Sequence, residues 1–174
     1  NGVKKLLVSC NRTFERYLRA LKADYLTGYE IKSDLDNYNR LNEQIIQYNR
    51  FFDYNYIVVS HKHLQSAQEK VPDFWGIICI LDDKVSVIRK AKSNFRVSRR
   101  RQLSILWKIE LKNILIKNNL PLFAQKEKGY IADKIAASVN ADLLGKQIAR
   151  ELLERDYSVY EAQDYTIRIN KTTE

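Results

Sequence analysis

The segment Tyr54–Ser60 constrains the fold more than any other stretch of the chain. Its sequence, Tyr-Asn-Tyr-Ile-Val-Val-Ser, is rich in β-branched and aromatic residues. Such a run is typical of a buried strand, and strands of this kind occur in sheets whose faces are covered by other elements. The segment therefore predicts a strand inside a sheet.

Strands and helices are predicted to alternate on both sides of this segment. The predicted strands are 25–33, 54–60, 77–81 and 84–90, and the predicted helices between them are 37–52 and 63–70. This order predicts the α/β class, with a sheet flanked by helices. Residues 16–22 are predicted to pair with 25–33 as a β-hairpin, with its turn near Ala23-Asp24.

The second half of the chain is predicted to be helical. Helices are expected at 103–118, 128–139 and 141–155, and 157–169 is either one short strand or a tail. Leu106, Ile109, Ile114 and Leu115 are the expected apolar anchors of the first of these helices. We therefore divide the chain into an α/β core at 1–92 and, at 93–174, a basic connection with a C-terminal helical subdomain.

The charge balance favours an anionic partner. The chain has 174 residues and a net charge of +9, and its basic residues crowd the stretch from Lys84 to Lys117. DNA is the first candidate partner, since an exposed basic connection can lie along a phosphate backbone. A solvated basic loop remains the alternative. The residues predicted to bind nucleic acid are Arg40, Lys92, Arg96, Arg99, Arg100 and Arg101.

The cysteines and the apolar runs bear on the compartment. Cys10 and Cys79 have neither disulfide-framework nor metal-ligand spacing, which fits a reduced cytoplasmic compartment. The longest purely apolar run, 74–81, is too short to span a bilayer, and no secretory leader is evident. We expect a cytoplasmic protein without a membrane partner, and a homodimer or another protein partner stays open.

Glu30 and Lys32 are the first candidates for chemistry. They are two residues apart on the predicted strand, so they share one face, while Ile31 points to the other. A carboxylate can hold a hard cation such as Mg2+, and a neighbouring ammonium can orient a water or a phosphate oxygen. We expect the pair to stand on a surface where a DNA backbone docks, although a solvated face is the commoner meaning of Glu-x-Lys.

The next helix places polar side chains near that pair. Arg40, Gln44 and Tyr48 are spaced four apart and share one helical face. Gln44 and Tyr48 are predicted to pack over Glu30 and Lys32 and to contact a ligand backbone, with polar packing between helices as the alternative.

The order of hairpin, Glu-x-Lys strand, helix and buried strand resembles the PD-(D/E)XK nuclease superfamily, which has the restriction-endonuclease-like fold. The closer likeness is to its sce7726-type family and covers roughly residues 14–157. It is carried by Gly28-Tyr-Glu-Ile-Lys-Ser-Asp-Leu-Asp36, Arg40-Leu41 with Gln44 and Tyr48, Tyr56-Ile-Val-Val59 with His63, Pro72 with Trp75-Gly76-Ile77, and Leu106-Trp-Lys-Ile-Glu-Leu111. The resemblance implies a DNA endonuclease from a bacterial or phage setting.

The resemblance also implies roles. Glu30 would bind Mg2+ or Mn2+, Lys32 would activate the attacking water, and Gln44 with Tyr48 resembles a Gln/Tyr helix motif of several nuclease branches. The fold needs a second carboxylate opposite Glu30, where the hairpin places Tyr17 or Leu18. The candidates for it are Glu15 and Asp24, with Asp34 and Asp36 as further ones. A nuclease-like module without catalysis, which binds DNA or a protein partner, is therefore the second hypothesis.

A weaker resemblance concerns the C-terminal helices. Residues 110–120 and 126–135 look like the two-helix SAP DNA-binding motif. A helical cap on the sheet is the alternative, because apolar spacing alone produces the same pattern.

Overall fold

The computed structural model describes residues 25–33, 35–82 and 84–155. Within these ranges the sheet has four strands, in the spatial order β1-β2-β3-β4. Strands β1, β2 and β3 are parallel, and β4 is antiparallel to β3. The predicted α/β class with a mixed sheet is confirmed. The bounds are Thr27–Lys32 for β1, Tyr54–Ser60 for β2, Gly76–Leu81 for β3 and Lys84–Arg89 for β4.

Helices connect the parallel strands. Helix α1 (Leu41–Phe51) lies between β1 and β2, while a 3-10 turn (His61–His63) and helix α2 (Leu64–Lys70) lie between β2 and β3. Both helices pack on the same face of the sheet, as two successive crossovers in one direction require. The core on this face is formed by Leu41, Ile45, Ile57, Val59, Ala67, Val71, Trp75 and Ile77.

The second half of the described chain forms four helices: α3 (Arg99–Ser104), α4 (Lys108–Lys117), α5 (Lys128–Ser138) and α6 (Ala141–Glu154). They have an apolar core of their own, which includes Leu103, Leu106, Leu111, Ile114, Leu115, Ile131, Ile135, Leu144 and Ile148. The predicted C-terminal helical subdomain is therefore present. The predicted hairpin partner at 16–22 and the segment 157–169 lie outside the described residues.

The single helix predicted at 103–118 was wrong in two respects. The chain forms two helices there, because α3 ends at Ser104 and α4 begins only after Trp107, whose backbone N–H donates to Glu110 Oε2 at 2.6 Å. Ile109 is 57% exposed and is not a core anchor; Leu111, which is fully buried, takes that place. The break between α3 and α4 interrupts the apolar spacing, so spacing counted across the whole stretch selects Ile109 in place of Leu111.

The sheet and the helical half meet at a polar cluster that we call the junction: Asp53, Arg99 and Gln102. Asp53 stands just before β2, and the two other residues belong to α3. Arg99 Nη1 donates to Asp53 Oδ1 at 2.5 Å, and Gln102 Nε2 donates to Asp53 Oδ2 at 3.1 Å. Packing across this cluster holds α3 against α1.

Across residues 25–33, 35–82 and 84–155, none of the helices combines the length and the apolar character that crossing a membrane requires.

Candidate functional site

The side chains of Glu30 and Lys32 meet on the face of β1 that α1 covers. Lys32 Nζ lies 3.2 Å from Glu30 Oε1. In the parallel register Glu30 stands opposite Ile57 and Lys32 opposite Val59, and both of these partners belong to the core under the helices. The period-2 alternation of a strand thus brings the predicted carboxylate and ammonium together.

Helix α1 supplies the two other predicted residues. Lys32 Nζ donates a hydrogen bond to Gln44 Oε1 at 2.9 Å, and the Tyr48 hydroxyl donates to the carbonyl oxygen of Tyr29 at 3.1 Å. Burial raises the pKa of Tyr48 above its usual range, and the nearby charge of Glu30 acts in the same direction. Glu30, Lys32, Gln44 and Tyr48 therefore form one cluster, which we call the carboxylate–ammonium site.

A glycine lets α1 approach β1 closely enough to build this site. A Cβ atom on Gly28 would lie 2.6 Å from the Phe52 ring and 2.7 Å from the Tyr48 ring. The Tyr48 ring itself sits between Phe52 and Trp75, with centroid distances of 5.2 and 5.6 Å. Gly28 and this aromatic packing fix the position of the Tyr48 hydroxyl, a role that the sequence pattern alone did not assign to them.

Both charged groups of the site are nearly buried. Glu30 and Lys32 are each 8% exposed. The prediction that the pair stands on an open surface was therefore wrong, and a solvated face is excluded as well. The cause is that α1 packs directly over this face of β1, so each charge is compensated by the other and by the polar atoms of α1.

The site offers one carboxylate for a divalent cation. Mg2+ in proteins is commonly held by one or two carboxylates together with waters and substrate phosphates, so Glu30 suits one ligand position. Over the described ranges, no group of three potential His, Cys, Asp or Glu ligands occurs. The other predicted ligands, Glu15 and Asp24, lie outside the described residues, as does Asp34.

Asp36 has a different task from the one considered for it. Its Oδ2 accepts hydrogen bonds from the backbone N–H of Ser33 at 2.7 Å and from the Ser33 hydroxyl at 2.9 Å. These two hydrogen bonds, the backbone one first, hold the pKa of Asp36 below its usual value. The carboxylate thus stabilises the turn after β1.

The cations predicted to bind DNA divide into two groups. Arg40, Lys92, Arg96 and Arg101 are exposed and accessible to a nucleic-acid backbone. Arg99 is not, because its side chain is 16% exposed and pairs with Asp53 in the junction. Arg100 is half-exposed and pairs with Asp133. The prediction of an exposed connection through residue 101 was wrong, since α3 begins at Arg99 and turns that side chain inward.

Comparison with protein families gives a match. A family model described as Bacteriophage P4 protein cII matches residues 18–172. No curated protein and no solved structure matches the chain.

Proposed function

We propose that this chain, which belongs to the bacteriophage P4 protein cII family, is a metal-dependent DNA endonuclease that hydrolyses phosphodiester bonds. The observation that carries the proposal is the carboxylate–ammonium site. Glu30, Lys32 and Gln44, which were singled out in the sequence for chemistry, are joined by an ion pair and a hydrogen bond. Tyr48 lies close enough to Glu30 for the charge of that carboxylate to raise the pKa of Tyr48. The chain's net charge of +9 supports an anionic substrate.

Lys32 keeps bonding capacity for a substrate. An ammonium has three N–H donors. Within the described part of the chain, Lys32 Nζ donates one hydrogen bond, to Gln44, and Glu30 lies at an ion-pair distance of 3.2 Å. A further N–H can donate to an attacking water or to a phosphate oxygen, and Gln44 holds the ammonium at a fixed place while it does so.

Each residue of the site has a distinct task in this proposal. Glu30 would hold a divalent cation, Mg2+ or Mn2+, which when bound stabilises negative charge on the scissile phosphate. Lys32 orients the water that attacks phosphorus. Tyr48 ties α1 to β1 through the Tyr29 carbonyl, and that bond keeps Gln44 over Lys32.

The test is a plasmid-cleavage assay in Mg2+ or Mn2+. We expect Glu30→Gln and Lys32→Met each to lower the cleavage rate by about a hundredfold or more, the loss typical of removing one group that stabilises the transition state. Glu43→Gln and Lys62→Met are the matched controls, because these two side chains are exposed. Cleavage that survives both site substitutions contradicts the proposal.

A second candidate is a nuclease-like module that binds DNA without cutting it. The near burial of Glu30 and Lys32 favours it, since two buried charges that neutralise each other can serve packing alone. A wild-type protein that leaves plasmid intact in both metals, yet binds DNA with a strong salt dependence, supports this candidate over the first. Absence of both cleavage and DNA binding overturns both and favours a protein partner.

A further inference from the structure

The connection between β4 and α3, residues 90–98, presents an aromatic ring to solvent. Phe95 is 78% exposed. Single exposed apolar side chains are common on protein surfaces, so exposure by itself identifies nothing. What sets Phe95 apart is the backbone that carries it and the charges around it.

The backbone next to Phe95 is anchored by a buried amide. Asn94 is 2% exposed, and its Nδ2 donates to the carbonyl oxygens of Asn49 at 2.8 Å and Phe52 at 2.7 Å. Its backbone N–H donates to the Asp53 carbonyl at 2.8 Å, and its Oδ1 accepts from the Arg96 N–H at 2.9 Å. Phe95 is therefore held outward by fixed neighbours on both sides.

The anchoring continues along the connection. The Lys92 N–H donates to the Phe74 carbonyl at 2.9 Å, and the Ser98 N–H donates to the Arg50 carbonyl at 3.1 Å. A segment pinned at three places loses little conformational entropy when a ligand binds, because its order already exists in the free protein.

The surroundings of the ring are aromatic and mainly cationic. The Phe74 ring lies 5.6 Å from Phe95, tilted by 59°, and the Arg96 guanidinium carbon lies 5.3 Å from the Phe95 centroid. Lys90 and Lys92 are exposed on the same connection. Asp73, next to Phe74 in the sequence, brings a negative charge to these surroundings. Its carboxylate is fully exposed and lies 3.9 Å from Arg89.

We propose that Phe95 is a stacking surface for a base of unpaired DNA, with Arg96 and Lys92 contacting the adjacent phosphates. An aromatic face flanked by cations matches the way single strands are bound, since bases stack on rings and phosphates pair with Lys and Arg. Bases inside a duplex are already stacked and present no face to Phe95. This inference takes its class of ligand, DNA, from the proposed function, on which it rests. It narrows that ligand to DNA with a single-stranded part.

The stacking surface lies away from the carboxylate–ammonium site. The connection crosses the amino ends of β2 and β3, through bonds to Asp53 and Phe74, whereas Lys32 ends β1 at its carboxyl end. A six-residue strand separates these ends by roughly 17 Å at a rise of about 3.3 Å per residue. Phe95 is therefore expected to change how tightly DNA is held, and to leave the chemistry at Glu30 unchanged.

The experiment measures binding without cleavage. Fluorescence anisotropy of a labelled single-stranded dT oligonucleotide, in EDTA, is compared with that of a duplex of equal length. We expect wild type to prefer the single strand, Phe95→Ala to weaken single-strand binding about tenfold, and the duplex affinity to change little. Phe95→Trp should keep the affinity of wild type. The indole fluorescence that this variant has in excess of wild type, which already contains Trp75 and Trp107, should fall when dT is added.

Two further variants complete the test. The log affinity for the single strand falls linearly with the log of the salt concentration. Arg96→Ala should make this dependence less steep, by about 0.7 in slope. Ile116→Ala removes an exposed apolar side chain in the helical half and should leave binding unchanged. Equal single-strand affinities for wild type and Phe95→Ala, or no single-strand binding by wild type, overturn the inference even if plasmid is cut. If plasmid is not cut but dT binding depends on Phe95, the inference stands and the endonuclease proposal fails.

Discussion

Two nearly buried pairs of opposite charge, in different regions of the molecule, have different chemical capacities. The junction pairs Asp53 with Arg99, and the carboxylate–ammonium site pairs Glu30 with Lys32. Both carboxylates are shielded, with Asp53 at 4% and Glu30 at 8% exposure. Burial therefore does not distinguish them.

The hydrogen bonds of the two pairs do distinguish them. At the junction Asp53 Oδ2 accepts from the Leu26 N–H at 3.0 Å and from Gln102, while Oδ1 accepts from Arg99. Arg99 also donates to Gln102 Oε1 at 2.7 Å and to the Ala141 carbonyl at 2.8 Å. These partners come from the sheet edge, α3 and the start of α6. Both oxygens of Asp53 and three of the five N–H donors of Arg99 bond to atoms that join the two halves of the fold, so the role of the cluster is structural.

The carboxylate–ammonium site has fewer partners within the described residues. Lys32 Nζ donates one hydrogen bond, to Gln44, and forms an ion pair with Glu30 at 3.2 Å. A guanidinium fixed in a planar fork suits the junction, whereas a compact ammonium with rotatable donors suits a site that exchanges partners. The identity of the partners, rather than a buried charge as such, distinguishes the two regions. The partners at the junction tie the sheet to the helical half, whereas Glu30 and Gln44 beside Lys32 belong to β1 and α1.

The sharpest test of this contrast is Arg99→Ala. It leaves the Asp53 carboxylate buried without its cation, so we expect the free energy of unfolding to fall by about 3–5 kcal/mol. Urea denaturation followed by circular dichroism measures the loss. Arg101→Ala, at an exposed neighbour in the same helix, should change stability by less than about 0.5 kcal/mol. A small loss for Arg99→Ala would mean that the junction is not structural.

Gly28→Ala tests how the site is packed. The new Cβ would meet the Phe52 and Tyr48 rings at 2.6 and 2.7 Å, so α1 or the rings must move away from β1. We expect a loss of about 1–3 kcal/mol in stability, as for other overpacked cores, together with reduced plasmid cleavage. Gly129→Ala is the control, because its Cβ would meet only the Arg100 side chain at 3.7 Å. Unchanged stability in Gly28→Ala would show that the packing over β1 is loose.

Tyr48→Phe probes one hydrogen bond and one titration. Loss of the bond to the Tyr29 carbonyl should cost about 0.5–1.5 kcal/mol at neutral pH. Burial, with Glu30 beside it, raises the pKa of Tyr48 above its ordinary value of 10.0 in the folded protein. The unfolded chain then loses this proton first, so the advantage of wild type over Tyr48→Phe is full below pH 10 and shrinks above it. Denaturation curves of both proteins at neutral and alkaline pH measure this difference in stability. A difference in stability that grows with pH would contradict the raised pKa of Tyr48.

The smallest effect is expected for the double variant Glu30→Gln with Lys32→Met. Removing both charges together leaves neither one unpaired, so stability should stay within about 1 kcal/mol of wild type while cleavage is lost. Thermal unfolding and the plasmid assay report the two quantities. A loss of stability as large as that of Arg99→Ala would mean that the Glu30–Lys32 pair is structural, like the junction.

The residue pattern predicted much of the fold because strands and helices are local. The β-branched run of β2 and the apolar spacing of α1 need only residues nearby in sequence and an apolar core to pack against. Both elements therefore appear where periodicity indicates. The same locality placed Glu30 and Lys32 on one face of β1. The break between α3 and α4 was missed, because it depends on how each of these two helices docks against α5 and α6.

The sequence by itself determined the α/β class, the neighbourhood of Glu30 with Lys32, and the helical face that carries Gln44 and Tyr48. Only the tertiary structure decided that the Glu30–Lys32 pair is shielded, that Arg99 turns inward to Asp53, and that Asn94 presents Phe95 to solvent. These three facts depend on contacts between residues far apart in the chain. Charge and spacing along a sequence do not say whether a cation will meet water, a phosphate or a buried carboxylate.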